Sequence, residues 1–446
     1  MKHKIFVCIL ATTAVIFVIT AATAVAVATT ATTAATATTA TTATATTTAT
    51  SATATTATTA TTAATTTATA ATNTVIDSIY GITDVKILKA TSVKDQNKSG
   101  TCWSFSAVSF LESELLRKGK GEYDLSDMYP VYDCFLRKAD KYVRLHGETY
   151  FPFGGASSDV FDVLRSKGLM PESVFTGLNY DRDKHDHSEM NRALKAYLDA
   201  IVKGKEITTV WKKAYTAILN TYLGEPPTQF IEDGKTYTPE SYAKMLGLNA
   251  DDYVVLTSYT HHPFYTSYEK DVPDNWNRGM VYNVTLDDIT AIAASSIDKG
   301  YTFVWGGDVS EKGFSWKKGI AIIADETSED VKGSDRDKWE SMNDREKKDA
   351  AYKFEKIVPE CEITQEIRQQ YYDTWESTDD HGMHIIGTAK DKNGNIYFKV
   401  KNSWNTSNPQ SGFLYMSIPF FKAKTLDITV HKDIIPNEIK KKMNIK

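Results

Sequence analysis

Two patterns of apolar residues divide the chain into a helix-rich part and a strand-rich part. After Cys102, apolar residues recur at positions 103, 107, 108, 111 and 115, a spacing that predicts an amphipathic helix. Similar patterns predict further helices at 126–145, 157–168, 188–203, 238–246 and 343–356. Runs that favour β structure predict strands at 384–390, 397–401, 413–416 and 426–430, the first two flanking a hairpin signal at Asn393-Gly394. Helices followed by an antiparallel sheet predict an α+β fold with two lobes.

The first residues differ in composition from the rest of the chain. A basic start precedes an apolar run from Ile5 to Val27, which predicts an export signal that is cleaved after Ala24 or Ala26. At about 20 residues, the run also has the length of an uncleaved membrane anchor. We therefore predict a signal peptide or anchor at 1–26, and an exported protein that is periplasmic, extracellular or membrane-anchored.

A low-complexity tract separates this leader from the folded part. Residues 28–72 contain only Ala and Thr apart from Ser51, so they offer too little apolar surface to offset the entropy of ordering their backbone. The pattern predicts a disordered spacer at 27–74, followed by one folded domain at 75–446.

Charge is nearly balanced over the whole chain. There are 51 Lys and Arg residues against 56 Asp and Glu, and the net charge is −5, which excludes a basic protein that coats nucleic acid and an acidic disordered protein. We predict no nucleic-acid partner, and a membrane partner only if the leader is retained. With Cys8 in the leader set aside, the odd number of cysteines that remains (Cys102, Cys134 and Cys361) leaves at least one unpaired thiol in an exported chain.

Cys102 is a candidate nucleophile, although a free cysteine is more often a small buried hydrophobe. Gly100-Thr101 supplies a loop and a hydroxyl N-cap, so Cys102 falls in the first turn of its helix. That position lowers the pKa of a thiol. A nucleophilic thiol also needs a base, for which His381 and His384 are both candidates, and Asn402 is a candidate to orient the imidazole.

The order of these residues resembles that of the papain-like cysteine peptidases. The matching stretches are Gln96, then Ser99 to Ser106, then Asp380-His381-Gly382-Met383, then Lys401-Asn402-Ser403-Trp404. The resemblance implies a helical left lobe and a barrel-like right lobe that meet in a cleft. It also implies Cys102 as nucleophile, His381 rather than His384 as base, and Asn402 as the residue that orients His381.

Further site residues follow from the same resemblance. Gln96, six residues before Cys102, and the backbone N–H of Cys102 are implied as the donors of an oxyanion hole. Gly154 and Gly155 are implied to line the substrate site, and Trp404 to shield the His–Asn contact from solvent. The implied mechanism uses a thiolate–imidazolium pair, a thioester acyl-enzyme and no cofactor.

Two differences from papain itself indicate which branch of the papain-like peptidases this sequence resembles. Ser99 stands where papain has a cysteine, so that disulfide is excluded. His381 follows Cys102 by 279 residues rather than by about 130–150, which indicates a large insertion between them. Such an insertion is typical of the bleomycin hydrolase and aminopeptidase C branch, and the resemblance extends over about residues 80–440.

That branch implies an aminopeptidase acting on peptides and a hexameric ring of subunits. Its C-terminal tail restricts cleavage to peptide N-termini, but here the region at 431–436 is followed by only ten residues to Lys446. An exported endopeptidase with an open cleft is therefore the alternative. A binding module without catalysis and a wall-anchored structural protein are weaker alternatives, because Gln96, Cys102, His381 and Asn402 are all present.

Clusters that resemble metal sites are interpreted as loops. The stretch 181–187 mixes carboxylates and imidazoles but has no framing helix, so we predict a solvated loop. The stretch 391–395 lacks the closing Glu of a calcium loop, so we predict a hairpin turn. His261 and His262 precede Pro263 and are expected in a loop of the insertion. No metal is predicted.

Overall fold

The computed structural model describes residues 76–151, 153–325, 349 and 351–445. The predicted leader, the predicted spacer and half of the helix predicted at 343–356 lie outside this part, as does Lys446. The described part has the predicted α+β fold. Its helices are α1 Cys102–Arg117, α2 Met128–Arg144, α3 Ser157–Lys167, α4 Ser188–Val202, α5 Val210–Leu223, α6 Pro239–Leu246, α7 Leu286–Asp298, α8 Gln365–Asp373, α9 Ile418–Lys424 and α10 Asn437–Met443.

The strands come mostly after residue 250. They are β1 Thr83–Ile87, β2 Phe230–Glu232, β3 Lys235–Tyr237, β4 Tyr253–Thr257, β5 Ser267–Glu269, β6 Met280–Asn283, β7 Phe303–Gly307, β8 Phe314–Ser315, β9 Ile320–Ala321, β10 His381–Lys390, β11 Ile396–Lys401, β12 Phe413–Ser417 and β13 Thr425–His431. Except for the β2–β3 hairpin, they form one mainly antiparallel sheet in the order β5-β6-β4-β13-β7-β10-β11-β12-β9-β8, with β1 paired to β10.

Helix α1 is the element that both lobes share. Nearly all of its residues are buried, including polar ones such as Ser104 and Glu112. Its side chains Phe110 and Leu111 belong to the core of the helical lobe, and α1 also packs against β7 and β10 of the sheet. A helix buried on all sides is expected to be hydrophobic or small throughout, and the run Trp103-Ser-Phe-Ser-Ala-Val-Ser-Phe fits this requirement.

The β10–β11 hairpin confirms the signal at Asn393-Gly394. The strands pair from His384 opposite Lys401 to Lys390 opposite Ile396, with a shift of register between Ile385 and Gly387. Between them, Oδ1 of Asp391 accepts the backbone N–H groups of Asn393 and Asn395, both at 2.9 Å. The stretch 391–395 is therefore a turn closed by its own side chain, as predicted.

The loop at 181–187 differs from its prediction. Residues 181–184 are exposed, but His185 is 7% exposed and His187 is completely buried. Their rings lie 5.7 Å apart, and His185 packs edge-on against Phe105 of α1 at 6.2 Å. Burial lowers the pKa of His185 to about 4 and that of His187 to about 3. These two histidines are core residues rather than part of a solvated loop.

Candidate functional site

The thiol of Cys102 lies at the first residue of α1, half-buried, and lines a cavity between the two lobes. His381 and Gly382 of β10 form the facing side of this cavity, and Gly155 forms another part of its lining. The structure thus brings the predicted nucleophile and the predicted base to one cavity.

The start of α1 has no side-chain cap, contrary to the prediction for Thr101. The hydroxyl of Thr101 is hydrogen-bonded to Oγ of Ser99 at 2.5 Å, while its carbonyl accepts the N–H groups of Ser104 and Phe105 at 2.9 and 3.2 Å. The first N–H groups of a helix have no acceptor within the helix. Without a cap, the N–H of Cys102 stays available to a developing negative charge.

Gly382 permits the close approach of β10 to α1. A methyl group at this position would lie 2.9 Å from Oγ of Ser106 and 3.4 Å from the carbonyl oxygen of Cys102. A side chain here would displace the Ser106 hydroxyl or move the strand away from the helix, because 2.9 Å is too close for a methyl group. The absence of a side chain at Gly382 thus lets β10, with the neighbouring His381, pack closely on the start of α1.

Asn402 orients the imidazole of His381. The two residues meet because the hairpin register places the start of β10 and the end of β11 together. Nε2 of His381 lies 2.8 Å from Oδ1 of Asn402, and both side chains are buried. The amide oxygen only accepts, so Nε2 carries the proton and Nδ1 is left as an acceptor. The N–H of Ser403 also donates to Oδ1 of Asn402, at 2.7 Å, which fixes the orientation of the amide.

Trp404 covers the His381–Asn402 pair. Its ring centroid lies 4.5 Å from that of His381, with a tilt of 32°. Phe314 and Trp316 pack edge-on against Trp404 at 5.9 and 5.7 Å and hold it there. Exclusion of water strengthens the hydrogen bond beneath the ring.

Gln96 is held beside this pair through Ser403. The backbone N–H of Gln96 donates to the carbonyl of Ser403 at 2.8 Å, and the hydroxyl of Ser403 donates to Oε1 of Gln96 at 2.6 Å. Because Oε1 is taken by this bond, Nε2 is the amide atom that can donate to a substrate. Ser403, which sequence reasoning noted only as part of a motif, therefore positions both amides of the site.

His384 lies outside the cavity that contains Cys102. It is buried between α1 and the sheet, with Nδ1 2.9 Å from Oγ of Ser109. Burial holds its pKa well below the usual range. Of the two histidines considered as the base, only His381 lines the cavity that contains Cys102.

The protonation of the site differs from the prediction for a helix N-terminus. Burial raises the pKa of the Cys102 thiol to about 12, with the charges of Asp379 and Asp274 adding to the effect. Burial also lowers the pKa of His381 to about 4, against the opposing hydrogen bond to Asn402. Desolvation therefore opposes the effect of the helix N-terminus and favours the neutral forms of the thiol and of the imidazole.

The two predicted glycines have different surroundings. Gly155 lines the cavity, and a methyl group there would lie 3.0 Å from the ring of Trp103. A methyl group on Gly154 would overlap the carboxylate of Asp274, only 1.9 Å from Oδ2. Lys138 donates to the carbonyl of Gly154. The Gly154–Gly155 backbone thus lies between Trp103 and Asp274.

Charged residues that sequence reasoning missed line the same cavity. Lys270 and Asp427 form a buried ion pair, and Asp274 and Asp379 stand near it. Asp274 and Lys270 come from the insertion, more than 160 residues along the chain from Cys102. No local motif marks them, because only the folded chain brings them to the thiol.

A grouping of metal-ligand type lies elsewhere in the described part. Ligand atoms of His261, His262 and Asp271 fall within 4.8 Å of one another. The His261 ring stacks on Tyr372 and the His262 ring on Tyr268. None of these residues lines the cavity of Cys102.

A thiol at a helix N-terminus, in one cavity with a His–Asn pair at the end of a β-hairpin, is the arrangement of the papain-like cysteine peptidases. Residues 166–446 match the Peptidase C1-like family, and residues 82–243 match the papain family of cysteine proteases. The chain belongs to the Peptidase C1-like family and is a cysteine peptidase, as its sequence predicted.

Its relatives include several bacterial aminopeptidases. Aminopeptidase G of Lactobacillus delbrueckii subsp. lactis is 24% identical over 396 residues, 79% of this chain and 83% of that protein. Aminopeptidase C of Lactococcus lactis subsp. lactis is 22% identical over 392 residues, 78% and 82% of the two chains. The crystal structure of PepW from Lactobacillus rhamnosis HN001 is similar in fold, with a TM-score of 0.59 and 20% identity over 81% of this chain and 84% of that one.

These relatives correct the predicted localisation. The leader predicts export, but the relatives that match most of the chain are the aminopeptidases G, W and C. The prediction of an exported protein is wrong by this comparison, which also gives no support to the predicted signal peptide at 1–26. Every helix in the part of the chain that the structure describes is too short or too polar to cross a membrane.

Proposed function

We propose that this cysteine peptidase is an aminopeptidase, which removes N-terminal residues through a Cys102–His381–Asn402 triad and a thioester intermediate. The observation that carries the proposal is the 2.8 Å contact between Nε2 of His381 and Oδ1 of Asn402 in the cavity that holds Cys102. The naming of relatives as aminopeptidases supports the exopeptidase part.

The first step is attack by sulfur. Nδ1 of the neutral His381 takes the proton of the Cys102 thiol as Sγ bonds to the carbonyl carbon of the substrate. Proton transfer during attack suits a pair whose free forms are both neutral. Asn402 stabilises the imidazolium that forms, because its amide oxygen accepts the hydrogen bond from Nε2.

The negative charge of the tetrahedral intermediate falls on the substrate oxygen. The backbone N–H of Cys102 and Nε2 of Gln96 would donate to it, which makes these two groups the oxyanion hole. Ser403 keeps the Gln96 amide in place, so the donor does not have to be reoriented during the reaction.

The remaining steps return the proton and free the enzyme. His381 protonates the leaving amine as the C–N bond breaks, which leaves the acyl group on Sγ of Cys102. A water molecule then attacks the thioester with His381 as base, and the acid product leaves with the thiol restored. The Gly154–Gly155 backbone would line the substrate on one side of this centre.

The proposal is tested with two fluorogenic substrates and the full chain. Alanyl-aminomethylcoumarin offers a free amine, and an N-blocked dipeptidyl analogue does not. We expect turnover of the free-amine substrate by the wild type and by the matched control Cys361→Ala, whose thiol lies outside the cavity. Cys102→Ala should have no turnover. Preference for the blocked substrate would replace the aminopeptidase by an open-cleft endopeptidase.

The hexameric ring implied by the family resemblance is a separate proposal. Sedimentation velocity of the full chain measures its mass directly. A single species of six chains is expected, and a monomer at assay concentration would contradict it.

A further inference from the structure

Two carboxylates that line the cavity of the thiol make no hydrogen bond or ion pair with the described residues. Asp274 and Asp379 both line the cavity of Cys102, and within the described residues neither makes a hydrogen bond or an ion pair. The neighbouring acids differ. Asp427 is paired with Lys270, and Asp159 accepts from Nε1 of Trp276 at 2.8 Å and from the N–H of Ala156 at 3.0 Å.

The nearby cations are already engaged. Lys270 is bound to Asp427, and Lys138 donates to the carbonyl of Gly154 among the rings of Trp103 and Trp276. Burial raises the pKa of Asp274 to about 6 and raises that of Asp379, and the charge of Asp379 adds to the shift at Asp274. Two partly buried anions in one cavity are stabilised when a cation binds between them.

The position of Asp274 limits how a peptide can lie. Its carboxylate rests against Gly154, where a methyl group would come within 1.9 Å of Oδ2. A peptide that continued past one residue along the Gly154–Gly155 backbone would meet this carboxylate. A peptide that ended there would present its α-ammonium group to it.

The C-terminal helix does not take this place. Ile439 and Met443 of α10 are buried in the core of the sheet lobe. Of the described residues, none beyond Asp427 lines the cavity. Among the described residues, the unpaired carboxylates of the cavity therefore come from the insertion and from the residue two before His381.

We infer that the carboxylates of Asp274 and Asp379 bind the α-ammonium group of a peptide substrate and thereby place the first peptide bond at Cys102. This assignment rests on the proposed aminopeptidase function. Asp274 serves twice, since it binds the amine and blocks the path of a longer peptide. Both residues are specificity determinants and take no part in the transfer of the acyl group.

The test uses two substrates that differ only in the amine. Alanyl-aminomethylcoumarin has the α-ammonium group, and propionyl-aminomethylcoumarin lacks it. The proteins are the full-length wild type, Asp274→Asn, Asp379→Asn and the double variant. Asp271→Asn is the control, because Asp271 is exposed three residues before Asp274 and does not line the cavity of Cys102.

The measured quantity is the ratio of kcat/KM for the two substrates. A charge-assisted contact predicts that the preference for the alanyl substrate falls about tenfold to a hundredfold in each single variant and further in the double one. The rate with the propionyl substrate should stay within about threefold of the wild type, and Asp271→Asn should keep the wild-type ratio. A structural role would lower both rates together and leave the ratio unchanged.

The outcomes separate this inference from the proposed function. A wild type that prefers the alanyl substrate, with an unchanged ratio in the double variant, overturns the inference alone. A wild type with no preference for the amine overturns the aminopeptidase proposal. The wild type could instead prefer N-blocked substrates that have Lys or Arg as the second residue before the cleaved bond. The two carboxylates would then bind that side chain in an endopeptidase, and the inference would be overturned.

A second measurement needs no variant at these positions. Alaninamide should slow the alkylation of Cys102 by iodoacetamide in the wild type, with Cys102→Ala as the blank. Propionamide, which lacks the ammonium group, should protect at least tenfold less at equal concentration. Equal protection by the two amides would overturn the inference.

Discussion

Ser403 and Gln96 are joined by two hydrogen bonds, one from the Gln96 backbone N–H to the Ser403 carbonyl at 2.8 Å and one from the Ser403 hydroxyl to Oε1 of Gln96 at 2.6 Å. The N–H of Ser403 donates in turn to Asn402. One serine therefore connects Asn402, the hydrogen-bond partner of His381, with Gln96, the proposed oxyanion donor.

Removal of the Ser403 hydroxyl should weaken catalysis more than binding. In Ser403→Ala, the Gln96 amide loses the bond that orients it, so we expect kcat to fall about tenfold with little change in KM. Gln96→Ala should cost on the order of 10²-fold in kcat. The exposed Ser407 gives the matched control Ser407→Ala. An unchanged kcat in Ser403→Ala would show that the amide needs no such support.

Gly382 should be intolerant of a side chain, and its tightest contact should be relieved by a second change. Gly382→Ala places a methyl group 2.9 Å from Oγ of Ser106, which we expect to cost about 1–3 kcal/mol of unfolding free energy and to lower kcat. In the double variant Gly382→Ala/Ser106→Ala, the tightest contact disappears and most of the stability should return. Urea unfolding measures both effects, with Ser106→Ala as control. Equal losses in the single and double variants would locate the strain elsewhere.

Alkylation of Cys102 should depend on pH as for a buried thiol. Because burial raises the pKa of the thiol to about 12, the thiolate fraction keeps increasing with pH across the neutral range. The rate with iodoacetamide should rise about tenfold per pH unit up to pH ~9. A rate already at its plateau near pH ~6 would instead indicate a preformed thiolate–imidazolium pair. As the pH is lowered, the rate of substrate hydrolysis should fall only near the pKa of His381, which is about 4.

The buried histidines beside α1 should make the fold sensitive to acid. His187 is neutral in the folded state because its pKa is lowered to about 3, whereas the unfolded chain takes up the proton near pH ~6.5. Stability is therefore full above that pH and falls as the pH drops, by about 1.4 kcal/mol per pH unit for one histidine. The slope of the unfolding free energy between pH ~6.5 and ~4.5 should be smaller in His187→Asn.

The exposed His146 supplies the comparison for this slope. His146 has a φ of 54°, a conformation that Asn tolerates, so His146→Asn should keep the wild-type slope. If both variants have the same slope, His187 does not contribute to the acid sensitivity.

Sequence reasoning found what local patterns encode. Neighbouring residues alone determine three of the predicted features, namely the helix from Cys102, the end of α3 at Gly168 and the hairpin at Asn393-Gly394. The same holds for the residues around His381 and Asn402, since each lies in a short motif. Their meeting follows from the register of one hairpin, which its turn sets.

Sequence reasoning missed what depends on distant packing. Helices α5, α7, α8 and α9 were not predicted, and the burial of His185 and His187 reverses the interpretation of a charged stretch as solvated. The polar composition of 181–187 gave no sign that the two histidines are buried, because residues 181–184 of the same stretch are exposed. The carboxylates of Asp274 and Asp379 were missed because they lie together only after the insertion folds over α1.

Helix α1 belongs to the core of the helical lobe and packs with its other side against β7 and β10 of the sheet, so it joins the two lobes. A cut in a loop between α1 and β10, such as the loop at 203–209, would separate β10 from the helix that it packs against. We therefore expect the two lobes to unfold in one cooperative transition and not to survive as separately expressed fragments. Because one helix contributes to both walls of the cleft, the two walls cannot move apart independently. We therefore expect the cleft to bind substrates without a change in its width.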